Sequence, residues 1–72
     1  MYRATRTISG CSPIVIAEGS EKECREEQSM KAGEDVRFMD DLILAPNITI
    51  DEHGLIIIDH LNGSIVYRTE EL

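Results

Sequence analysis

His53 and His60 stand among carboxylates: Asp51 and Glu52 precede the first, and Asp59 precedes the second. Imidazole and carboxylate are the side chains of transition-metal sites and of general acid–base pairs. Here the spacing works against both. The two histidines fall near opposite ends of one predicted strand, about 20 Å apart at the usual rise per residue, so they cannot share a metal. Ser64 and His60 flank one turn, but a nucleophile needs a base in reach and a third group to orient it, and nothing resembles a nucleophile elbow. Asp40 and Asp41 would make a carboxylate pair, yet neighbours on a strand point to opposite faces. Cys11 and Cys24 lack C-x-x-C spacing, and no further cysteine completes a zinc site. They are expected to be unpaired thiols of a reducing compartment. The glycines at 10, 19, 33, 54 and 63 are isolated, so there is no phosphate-cradling loop. The expectation is a non-enzymatic protein with no catalytic residue, no metal and no cofactor.

Charge points to a partner class. The net charge is −7 and unevenly spread. Residues 1–17 carry only Arg3 and Arg6; residues 18–35 hold seven acids against three bases; residues 36–72 hold seven against two. Such a chain is repelled by nucleic acid and by anionic membranes. Glu18, Glu21, Glu23, Glu26, Glu27, Glu34, Asp35, Asp40 and Asp41 are expected to form a negative surface. Glu26, Glu27, Asp40 and Asp41 are the candidate contacts to a basic protein partner. An acidic surface of this kind suits an inhibitor or regulator of a nucleic-acid-processing protein, in the style of small accessory proteins of phages and mobile elements. Complementary charge would speed association and select the partner.

The elements that position these residues are mostly strands. Asp51-Glu52-His53-Gly54 reads as a type I turn with a glycine bulge, and Asn62-Gly63 as a two-residue hairpin turn. They join three strands into an antiparallel meander over residues 47–69. The first turn sets Ile50 opposite Ile56 and Ile48 opposite Ile58. The second is expected to set His60 opposite Ile65 and Ile58 opposite Tyr67. One face then carries Ile48, Ile50, Ile56, Ile58, Ile65 and Tyr67. The other carries Leu55, Ile57 and Val66, which either the N-terminal half covers or a second copy meets. Leu55, Ile57 and Val66 are therefore the candidate oligomer interface.

Upstream, Tyr2 to Ile8 alternates like an exposed or edge strand, and Ile14 to Ala17 is a second strand. Ser20 with Glu23 fits a capping box and Gly33 a helix stop, which predicts a short helix near 21–32. Val36 to Met39 alternates again, Asp40-Asp41 interrupts it and the apolar run Leu42 to Ala45 follows, which reads as two strands with a kink or one long bulged strand. Six or seven strands are expected in all. The fold class is mainly β, a β-rich α+β domain spanning 1–72, with the N-terminal strands forming a small sheet, barrel or sandwich.

At 72 residues the core is small, and oligomerisation is a common remedy. Apolar residues at 42% are too many for a disordered chain. No run approaches the roughly 20 apolar residues of a membrane span, and the N-terminus lacks a signal-like apolar stretch. A cytoplasmic homo-oligomer is expected, binding a protein partner and neither nucleic acid nor membrane. A structural subunit of a larger assembly is the alternative, and a small-ligand binder a weaker one.

Overall fold

The computed structural model describes residues 1–42, 46–61 and 63–72. Its strands are β1 (Tyr2–Ile8), β2 (Ile14–Gly19), β3 (Asn47–Ile50), β4 (Ile56–His60) and β5 (Gly63–Glu71), and its helix is α1 (Glu21–Asp41), between β2 and β3. The strands form one open antiparallel sheet in the order β2-β1-β5-β4-β3. The helix lies on one face. The fold is therefore mostly β α+β, neither barrel nor sandwich.

The first turn forms as its residues predict. Gly54 N–H donates to Asp51 O at 3.1 Å, and Asp51 N–H to Leu55 O at 3.0 Å. The Asp51 carboxylate also accepts from the amides of His53 and Leu55. Ile50 pairs with Ile56 and Ile48 with Ile58, as expected. The second hairpin is displaced by two residues. His60 pairs with Gly63, Ile58 with Ile65 and Ile56 with Tyr67. Asn62 itself lies outside the described residues. The slip is even, so every side chain keeps its face. It also sets Ile57 opposite Val66 instead of the charged Arg68, which is the better cross-strand match.

β1 is not an edge strand. It pairs with β2 on one side and with β5, from Tyr2 opposite Glu71 to Ile8 opposite Ile65, on the other. Ala4 at its centre is fully buried. The N-terminal strands therefore widen the sheet and do not cover its second face. Among the described residues nothing covers the face holding Leu55, Ile57 and Val66.

α1 is longer than its sequence signals suggest. Ser20 caps it, accepting from Glu23 N–H at 3.1 Å. The Glu21–Arg25 and Glu27–Lys31 pairs close at 3.1 and 4.0 Å. The helix then runs through Gly33 to Asp41, so the strand expected at Val36 to Met39 is helical. Glycine costs a helix interior about 1 kcal/mol. Packing beyond it offsets that cost, because Ala32, Val36 and Met39 all pack in the core with Ile56, Ile58, Ile65 and Tyr67. Leu42 caps the helix end. Ile43 to Ala45, part of the last expected N-terminal strand, lie outside the described residues. The described strands number five, fewer than the six or seven expected.

Two glycines make a paired test. Gly33 has nothing near the position of an added methyl group. Gly54 has φ +78°, and an added methyl would strike the Arg25 guanidinium. Gly33→Ala is expected to stabilise the fold by about 0.5–1 kcal/mol. Gly54→Ala is expected to destabilise it by about 1–3 kcal/mol. Urea unfolding of the two variants checks both signs.

Candidate functional site: an open strand edge beside an apolar groove

The residues of α1 that face the sheet are partly polar. Its buried members are Cys24, Gln28, Ala32 and Met39. Gln28 donates to the Gly54 carbonyl at 2.5 Å and accepts from the Thr69 hydroxyl at 2.8 Å. The helix is thereby tied to the β3–β4 turn and to β5. Two turns of helix further on, Asp35 meets the guanidinium of Arg6 on β1. Nε and Nη2 each reach a carboxylate oxygen at 3.0 Å. The Tyr67 hydroxyl donates to Asp35 and accepts from Arg6 Nε at 2.9 Å. Burial and the bond to Asp35 hold the Tyr67 phenol well above its ordinary ionisation range, although the Arg6 cation opposes the shift.

This cluster is structural. Every polar atom named in it has a partner, and the Tyr67 side chain is sealed from solvent. It locks helix to sheet by geometry that apolar contacts alone do not supply.

The sequence candidates scatter. Among the described residues no group of three or more His, Cys, Asp or Glu side chains could hold a metal ion. Cys11 is exposed and Cys24 buried, both as free thiols. Glu18 pairs with Arg3 at 2.7 Å on the open face of the sheet. Asp35 is half-buried and committed to Arg6 and Tyr67. Glu26 and Glu27 sit on exposed and half-buried parts of α1, within 4.0 Å of Lys22 and Lys31. Asp40 and Asp41 are exposed in the last turn, where no basic residue accompanies them. The nine acids expected as one negative surface are thus divided among the helix–sheet contact, the open sheet face and the exposed helix surface. Leu55, Ile57 and Val66 do lie together on the open face, each half-buried, with Val15 exposed on the same side.

Sequence reasoning did not single out the other edge of the sheet. α1 touches β1, β2, β4 and β5 but not β3. Ile48 and Ile50 face the helix side yet stay 50% and 66% exposed, where burial had been expected. Between them and the helix runs an apolar groove of about 280 Å³, lined chiefly by Ala32, Gly33, Val36, Ile48, Ile50 and Ile56. The groove stays open because the helix flank above it carries Ser29 and Gly33, which are too small to fill it. The bond from Asp51 N–H to Leu55 O fixes the alternation of the ladder. It follows that the main-chain N–H and C=O of Ile48 and Ile50 point to the free edge.

The two edges of the sheet differ. β2 carries a bulge at the Ala4/Thr5 step of its pairing with β1, and Glu18 besides. Bulges and charges are the usual protections of a free edge. β3, Asn-Ile-Thr-Ile, has no charge, no proline and an unbroken register.

No family model matches the chain, and neither curated proteins nor solved structures yield a match. No helix among the described residues is long and apolar enough to cross a membrane.

The Tyr67 cluster predicts an alkaline signature. The native state holds the phenol protonated, whereas the unfolded chain ionises it near pH 10. Its contribution is therefore complete below about pH 10 and declines as pH rises above that. Tyr67→Phe is expected to cost about 1–2 kcal/mol at neutral pH. It should also flatten the loss of stability above about pH 10 relative to the unmodified chain. Both variants retain Tyr2, so the difference isolates Tyr67. Asp35→Ala, which leaves the half-buried Arg6 guanidinium with the Tyr67 hydroxyl alone, is expected to cost about 1–3 kcal/mol. Urea midpoints across pH 7 to 11 decide these points.

Proposed function

We propose that this protein is a non-enzymatic protein-binding module that engages its partner along the β3 edge and the neighbouring groove. The observation that carries this reading is the unprotected edge itself. Two half-exposed isoleucines, outward-facing backbone groups and an apolar trough lie side by side. Small folds usually blunt such an edge, because an extended chain can add to it as another strand.

The acids at the end of α1 support the same reading. Asp40 and Asp41 sit at the negative end of the helix dipole, where carboxylates are unfavourable. Residues that break a local rule without a structural return are often kept for binding. Blocking a partner's basic surface would make the protein an inhibitor or regulator, and a nucleic-acid-processing protein is a natural owner of such a surface. A second reading is a subunit that assembles with itself. The uncovered Leu55, Ile57 and Val66 face favours it.

Replacing both Asp40 and Asp41 by Asn separates binding from folding. The variant is expected to gain about 0.5–1.5 kcal/mol of stability. In affinity capture from the source lysate it should recover less of a stoichiometric partner than the unmodified protein does. Ile50→Lys should abolish that recovery. Equal recovery with all three proteins, or capture of the protein's own copies alone, contradicts the binding-module reading.

A further inference from the structure

We infer that the occupant of the β3 edge is an extended segment of a partner protein, apolar at alternate positions and bearing Lys or Arg at both ends. This rests on the reading of β3 as the binding edge and adds the chemistry of what binds there.

The alternation follows from the strand. Ile48 and Ile50 lie on the groove side, and Asn47 and Thr49 on the other. A strand added to this edge places every second side chain over the groove. Those residues meet Ile48, Ile50, Val36 and the gap beside Gly33, so they are apolar. The intervening residues flank Asn47 and Thr49 and can be polar.

The end charges follow from what brackets the groove. Ser29, Gly33, Val36 and Asp40 recur at helical spacing, so Asp40 lies on the same flank of α1 at the far end of the groove. Asp41 adjoins it. At the opposite end Glu52 stands in the turn that follows β3 and is largely exposed, whereas the Asp51 carboxylate beside it is held by the amides of His53 and Leu55. A segment lying along the edge thus runs from one acidic end to the other. Lys or Arg at both termini satisfies that arrangement.

The same charges disfavour a second copy. Antiparallel pairing of two β3 strands about Thr49 carries the Asp51–Glu52 turn of each copy toward the other's helix end. There it meets Asp40 and Asp41, while each chain carries −7. Like charges brought together across an interface oppose association.

The test uses the intact protein and three labelled peptides by fluorescence anisotropy. Each has a core of alternating Ile and Thr; the ends carry paired Lys, paired Gln or paired Glu. The Lys-ended peptide is expected to bind about tenfold or more tighter than the Gln-ended one, with the advantage shrinking as salt rises. The Glu-ended peptide should not bind. Gly33→Leu fills the groove without disturbing the core and should abolish binding of the Lys-ended peptide. Ile50→Pro removes an outward N–H that β4 does not use and should do the same. Equal binding of all three peptides, lost in Gly33→Leu, would keep the edge as the binding site and overturn the charge inference. Binding unaffected by either substitution, or no binding of any peptide, would overturn both. A dimer in sedimentation at micromolar concentration, dispersed by Ile50→Pro, would assign the edge to a second copy and overturn the inference alone.

Discussion

One helix cannot cover this sheet. Five strands span about 19 Å between their outer axes, whereas a helix with its side chains is about 10–12 Å across. The described residues form a single helix for the task, and it lies against β1, β2, β5 and β4. The consequences run through the whole structure. Ala4, Ile58 and Tyr67 beneath the helix are fully buried. Ile48 and Ile50, on the same face but beyond its reach, are not. No described element covers the opposite face.

Where the helix lies is decided by polar groups. A strip of aliphatic side chains would let it slide sideways over the isoleucines. Gln28 instead reaches the Gly54 carbonyl and the Thr69 hydroxyl, and Asp35 takes Arg6 in a two-pronged pair with Tyr67. These bonds have strict geometry, and losing one partner leaves the other buried and unsatisfied. They hold the helix over β1 and β5, and that position keeps β3 exposed. The core network and the open edge are thus two results of one placement.

The sequence made the meander legible through its turns. Asp51 and Gly54 define the first hairpin without ambiguity, and alternation assigns each isoleucine to its face. The capping box at Ser20 and Glu23 marks the helix start equally well. The helix end was hidden, because Gly33 and the alternating Val36 to Met39 both argue against a helix. What extends it is contact with the sheet, which no local pattern records. The core role of Gln28 and Asp35 was hidden for a related reason. Their side chains read as surface residues until Arg6, Thr69 and the Gly54 carbonyl are known to lie opposite. Asp40 and Asp41 were singled out by charge alone, and their place at the end of the groove depends on a helix whose stop signal in the sequence, Gly33, comes earlier. The groove itself is a product of tertiary placement, so it left no mark in the sequence beyond the uncharged Asn47 to Ile50.

The functional reading depends on β3 being an open edge in the free protein. Amide hydrogen exchange tests that residue by residue. Along β3 and its turn, Thr49 and Asp51 bond to β4, while Ile48 and Ile50 face outward. Slow exchange at Thr49 and Asp51 with fast exchange at Ile48 and Ile50 is the predicted pattern. Protection at all four amides in the monomeric protein would mean that the edge is already occupied, and would contradict the account.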